Sequence, residues 1–91
     1  MLYLISYDVA DDRRRNQVAK ILLGYGSRVQ WSVFECELDE QHLVRLQERV
    51  LAELSLALDS LRIYRLCGAC RRNALIFGAG PPLGPPDVVI V

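Results

Sequence analysis

Residues 6–15 read SYDVADDRRR, with a carboxylate closing an apolar stretch and a run of arginines just beyond it. The stretch alternates, so Tyr3, Ile5, Tyr7 and Val9 share one face of an expected strand, and Leu2, Leu4, Ser6 and Asp8 share the other. An aspartate on a strand end is suited to a hard divalent ion, because Mg²⁺ takes oxygen ligands and often only one or two carboxylates. Water on such an ion becomes a nucleophile toward a phosphodiester. The plain alternative is that Asp8 ends the strand or caps a turn. Arg13, Arg14 and Arg15 fall at an expected helix start, with Asp11 or Asp12 as N-cap. A helix N-terminus favours acids over cations, so the arginines break a local rule, as functional sites often do. A phosphate backbone would gain from the arginines and from the helix-end amides together. A solvated charge run is the competing reading.

Other residues with chemical potential are less persuasive. Cys67 and Cys70 form C-x-x-C, but a structural zinc site needs four ligands. Cys36 and His42 stand at unconvincing spacings for the other two. A redox pair should open a helix after a strand, whereas RRNALIF reads as strand. Small buried or loop cysteines are the default. His42 falls in the first turn of an expected second helix and reads as solvated. Glu35 and Glu37 share a strand face and read as edge charge rather than an acid–base pair. No Gly-rich phosphate loop and no Ser/His/Asp constellation stands out.

The elements that must position these residues follow from periodicity. After the first strand, Val18, Ile21, Leu22 and Tyr25 keep helical spacing, and Gly24 or Gly26 ends the helix. Residues 28–38, RVQWSVFECEL, are β-branched and aromatic, and read as one long strand that is bent or broken in two. Asp39 caps a second helix with the stripe Leu43, Leu46, Val50, Leu54 and Leu58. LRIYRL (61–66) and NALIF (73–77) read as further strands. GAGPPLGPP is a stiff hinge, and the chain closes on DVVIV. The expected organisation is residues 1–80 as one domain, then 81–91 as hinge and terminal strand.

Ninety-one residues make one small domain with a marginal core. A 52% hydrophobic and 24% charged composition indicates a folded chain. Lys+Arg 11 and Asp+Glu 11 cancel, which excludes a bulk-basic nucleic-acid coat. Lys20 is the only lysine, so the positive charge is nearly all arginine, the better fork for phosphate. There is no secretory pattern after Met1 and no apolar run near the roughly 20 residues that span a bilayer. An odd cysteine count argues against a disulfide framework. A cytoplasmic location without membrane contact is expected.

Two helices cover one face of a sheet, yet the strands carry apolar residues on both. Leu2, Leu4, Val33 and Trp31 would be left on an open patch. A homodimer with sheets face to face is the expected remedy. The DVVIV ending is hazardous if unpaired, so its expected place is the partner's sheet edge. Twofold symmetry then brings two copies of Asp8 together, and close carboxylates require a proton or a cation between them.

YDVADDRRRNQVAKILLGYGSRVQWSVFECEL, then LRIYRLC, then the short terminal strand together resemble the Cas-two family, the small CRISPR-associated protein of spacer acquisition. The resemblance implies an α+β, ferredoxin-like βαββαβ sandwich with an extra C-terminal strand. That order needs two strands between the helices, which conflicts with a single strand over residues 28–38. It also implies a homodimer, one Mg²⁺ shared by two Asp8 at its interface, and metal-dependent endonuclease activity on RNA or DNA. The CRISPR integrase, Cas-one, is the implied partner, which the dimer bridges. Carried over by position, Asp8 is the metal-binding and catalytic residue. Tyr7, Arg15 and Arg28 likewise match functional positions and, with Arg14 from the arginine run, are assigned to nucleic acid, with Ser32 and Phe34 in support. Gln17 departs from the basic residue often found there. C-x-x-C at this place is met in relatives, which weakens a zinc reading. The alternative function is a non-catalytic, DNA-binding scaffold. A regulatory dimer that binds a small molecule fits the arginine cluster poorly.

Overall fold

The computed structural model describes residues 1–69, 73, 75–77 and 89–90. Strand β1 (Leu2–Asp8) leads into helix α1 (Asp12–Leu23), the hairpin β2 (Ser27–Gln30) and β3 (Val33–Glu37), helix α2 (Glu40–Glu53) and strand β4 (Ser60–Leu66). The sheet order is β2-β3-β1-β4, with β1 antiparallel to both β3 and β4. Two helices on a four-stranded antiparallel sheet in this chain order make the ferredoxin-like βαββαβ fold. Two short strands, β5 (Leu75–Ile76) and β6 (Val89–Ile90), pair in parallel as a separate ladder. The hinge at 78–86 and Cys70 lie outside the described residues, while the terminal strand, expected on a partner's sheet edge, pairs here with β5 of its own chain.

Period two along β1 decides the layers. Tyr3, Ile5 and Tyr7, with Val9 just beyond, enter the core with Val18, Ala19 and Leu22 of α1, Phe34 and Cys36 of β3, and Leu46 and Val50 of α2. Residues two apart on a strand share a face, so Leu4, Ser6 and Asp8 fall on the helix-free face. The register sets Leu4 beside Glu35 and Tyr64, and Ser6 beside Val33 and Arg62. The open face is therefore mixed, with an apolar end around Leu4, Tyr64 and Leu66 and a polar end around Ser6, Asp8 and Arg62.

Both helices begin as their sequences dictate. Asp11 accepts a hydrogen bond from the Arg14 amide at 3.0 Å, and Asp39 accepts one from the His42 amide at 2.8 Å. The Gly24 amide closes α1 on the Ile21 carbonyl at 3.0 Å. Gly26 has a different reason. A Cβ there would lie 2.2 Å from the Glu35 carbonyl oxygen and 2.6 Å from Cys36 Sγ, so the chain can enter β2 flush against β3 only without a side chain.

One open alternative resolves, and two expectations need correction. Residues 28–38 are two strands, split by a turn at Trp31–Ser32, with an irregular register between Arg28 and Gln30. Trp31 sits in that turn, 81% exposed, instead of on the open sheet face. Leu58 lies beyond the last residue of α2 and is exposed, so the buried stripe ends at Leu54.

Candidate metal and nucleic-acid site

Asp8 closes β1 two residues past the last β1–β3 pair, Ser6 with Val33, and it lies opposite Ser60 on β4. Its exposed side chain helps line a cleft of about 290 Å³ with Ser6, Tyr7, Ser32, Ser60 and Arg62. The β2–β3 turn is tied to this strand end, because the Tyr7 amide donates to the Ser32 carbonyl at 3.1 Å. Apart from Tyr7, whose ring is buried in the core, the lining residues bring one carboxylate, three serine hydroxyls and one guanidinium. Oxygen donors of this kind suit a hard cation, while Arg62 suits a phosphate oxygen. Among the described residues no three His, Cys, Asp or Glu side chains gather into a metal cluster. Among the described residues that line the cleft, Asp8 is the one carboxylate.

Behind the cleft, one buried acid holds the loop that follows Asp8. Asp59 keeps only 7% of its surface exposed. Each carboxylate oxygen accepts one backbone N–H and one guanidinium N–H. Oδ1 takes Ala10 N at 3.0 Å and Arg14 Nη2 at 3.1 Å, and Oδ2 takes Ser55 N at 2.9 Å and Arg14 Nε at 3.0 Å. The bidentate Arg14 fork comes first among the causes that lower the Asp59 pKa to about 2, followed by the Ser55 and Ala10 amides against the opposing cost of burial. Asp59 directly precedes Ser60, so a single peptide joins the buried clamp to the mouth of the cleft.

The residues assigned to nucleic acid are dispersed. Arg14, assigned to phosphate, has its fork bound to Asp59. Arg15 donates Nε and Nη2 to the Val9 carbonyl at 3.2 and 3.0 Å and pairs through Nη1 with Asp12. The helix-start arginines that looked misplaced are thus, in part, ties across the β1–α1 connection. Tyr7 is buried and stacks on Phe34 with ring centroids 6.2 Å apart. Arg28 is exposed, and its guanidinium lies 5.3 Å from the Phe34 ring centroid. Ser32 reaches the Asp8 cleft. Tyr7, Arg15 and Arg28 meet in a second cleft of about 130 Å³, together with Asn16, Ala19 and Trp31.

Sequence reasoning missed Asp59, Arg62 and Trp31. Arg62 had a signal in the LRIYRL alternation, which sets it on the face of Asp8 once the strands pair. Asp59 had none, because its partners lie 45 and 49 residues away in Arg14 and Ala10. Of the cysteines, Cys36 and Cys67 are described. Burial, and then the Glu35 charge, push the Cys36 thiol up to about 11, so it packs as a neutral group. Cys67 is exposed. His42 Nδ1 lies 2.7 Å from the Asp39 cap.

Residues 1–74 match the family described as CRISPR associated protein Cas2. The chain belongs to the Cas2 family. A Cas2 relative from Synechocystis sp., named CRISPR-associated endoribonuclease Cas2 3, is 47% identical over 90 residues, covering 99% of this chain and 98% of its own. The crystal structure of a hypothetical protein from Thermus thermophilus superposes with a TM-score of 0.80 at 46% identity, covering 88% of this chain and 93% of that one. A chain of a partial Cas6-RT-Cas1–Cas2 complex gives a TM-score of 0.60 at 26% identity, covering 92% and 97%. With Cas2 relatives spanned almost end to end, the ferredoxin-like sheet and both helices are the common framework. Among the described residues no helix is long and apolar enough to cross a membrane.

Proposed function

We propose that this Cas2 chain serves CRISPR adaptation as a homodimer that binds nucleic acid, bridges the Cas1 integrase and cleaves phosphodiesters with Mg²⁺. The observation that carries the reading is the placing of Asp8 at the mouth of a hydroxyl-lined cleft on the helix-free face. The partner follows the Cas1–Cas2 assembly named for one structural relative, and the chemistry follows the endoribonuclease name of another. Face-to-face sheets bring two copies of Asp8 across a twofold axis. A single Mg²⁺ between them would supply a polarised water and offset phosphate charge. Asp8 then serves as ligand, the serine hydroxyls orient solvent or substrate oxygens, and Arg62 holds a phosphate oxygen beside it.

Asp8→Ala is the test, assayed with wild type on RNA and on duplex DNA across Mg²⁺ concentration and pH. Loss of a metal ligand should lower cleavage by at least about 100-fold while leaving circular dichroism and dimer mass unchanged, since Asp8 is exposed and outside the core. Equal cleavage by both proteins would remove Asp8 from the chemistry. One observation favours a second reading, a non-catalytic scaffold: each chain brings a single carboxylate to the cleft, which is sparse for a nuclease. If Asp8→Ala supports spacer acquisition together with the integrase, scaffolding is the essential role. In the same dimer, Val89–Ile90 would dock at the partner's sheet edge. Removing residues 86–91 should then raise the dimer dissociation constant in sedimentation, and an unchanged dimer would rule that docking out.

A further inference from the structure

Trp31 is the only tryptophan in the chain, and 81% of its surface is exposed. It opens the turn between Gln30, which ends β2, and Val33, which begins β3. Turns this short select Asn, Asp and Gly. An indole at this point adds nothing to the core, and it holds a large apolar ring in water. Local rules broken without a gain in packing point to function.

The surroundings say which function. Trp31 borders the cleft of about 130 Å³ that also holds Tyr7, Arg15, Asn16, Ala19 and Arg28. The cleft is small and local, of a size for one nucleotide's groups. Both cations are held in advance. The Arg15 guanidinium is fixed by the Val9 carbonyl and Asp12, and that of Arg28 lies over Phe34. Donors held in place lose less freedom on binding an anion. Asn16 adds an amide that can donate and accept.

We propose, on the nucleic-acid-binding reading above, that Trp31 is a stacking platform for an unpaired base, with Arg15 and Arg28 holding the phosphate of the same nucleotide. Every base has a π-face, so such a platform tolerates sequence. Inside a duplex both faces are already covered, so the platform selects single-stranded ends or splayed nucleotides. The surface thereby discriminates strand state, which the Asp8 cleft does not address.

The lone indole is its own reporter. Intrinsic fluorescence of the full chain is titrated with oligo(dT) and oligo(rU) of about ten nucleotides, with blunt duplex DNA, and with the same duplex carrying an unpaired end. Saturable quenching by the unpaired probes and by the tailed duplex, with little from the blunt duplex, is expected. The stronger quencher of the two oligonucleotides identifies the preferred sugar. In parallel, fluorescein-labelled probes measure affinity for Trp31→Ala and Trp31→Phe. Trp31→Ala should weaken binding of unpaired probes about 5- to 150-fold and leave blunt-duplex affinity unchanged, while Trp31→Phe retains most of it. Because Trp31 is exposed, both variants should melt with wild type, and the Phe variant keeps the test valid if the Ala variant does not. Unchanged affinity for unpaired probes in Trp31→Ala overturns the platform while the nucleic-acid reading stands. Unchanged affinity with an altered dimer mass overturns it in favour of a subunit contact. Failure of wild type to bind any probe at low salt overturns both.

Discussion

Asp59→Asn is expected to lower the melting temperature on the order of 10 °C, although the two side chains have nearly the same shape. Each Asp59 oxygen accepts one backbone N–H and one guanidinium N–H. An amide presents one oxygen and one NH₂. Whichever way it is turned, the NH₂ meets two donors and the Arg14 charge loses its counter-charge. Removing one partner of a buried charged network costs more than the network itself contributes, because the groups left behind stay desolvated. Arg14→Ala should be milder, since Asp59 would keep the Ala10 and Ser55 amides.

The pH dependence of this pair has a definite sign. The folded pKa of Asp59 is about 2, below the 3.8 of a free aspartate side chain. A depressed carboxylate contributes stability in full above its unfolded pKa, and that contribution is lost as pH falls through the folded value. The difference in melting temperature between wild type and Asp59→Asn should therefore be constant from pH 7 to about 5, and shrink as pH falls from about 4 toward 2. A gap that stays the same down to pH 2, or no gap at pH 7, would show that the carboxylate is not what holds the β1–α1 loop to the start of β4.

Asp59 also shows where the sequence stops being readable. Asp8 was legible because a period of two needs only neighbours on one strand, and the caps at Asp11 and Asp39 were legible because they act within three residues. The helix stripes were legible for the same local reason. The hairpin was not, because Trp31–Ser32 carries none of the Gly or Asn that marks a short turn, and the flanking residues all favour strand. The β2–β3 break was visible only as a conflict with the fold that the family resemblance implied. The ties that the arginines make were not legible, because a helix-dipole argument considers the helix alone. The acid that accommodates Arg14 arrives from 45 residues away, and the carbonyl that accepts Arg15 belongs to the loop behind it. Local physics sets the elements, while long-range polar pairing decides which charges remain available for a ligand.

Phe34→Ala should be the most damaging apolar substitution near the site, with a loss of about 3–5 kcal/mol read by chemical denaturation. Phe34 is fully buried on β3. Truncation removes a ring from the middle of a small core that cannot refill it. Position adds to volume. The ring stacks on Tyr7 at 6.2 Å and carries the Arg28 guanidinium at 5.3 Å, and Tyr7 and Arg28 both line the cleft of Trp31. A domain of this size holds roughly 5–15 kcal/mol of stability in total, so Phe34→Ala would approach unfolding and report on the core alone. Phe34→Leu separates the two effects. It keeps a buried apolar side chain and should cost less, but it removes the π-face on which Arg28 rests. If that seat positions Arg28, Phe34→Leu should weaken binding of unpaired oligonucleotide at a temperature where the variant is fully folded, and should leave blunt-duplex affinity unchanged. Oligonucleotide affinity equal to wild type in the folded Leu variant would confine Phe34 to packing, and would leave Arg28 held by the strand rather than by the ring beneath it.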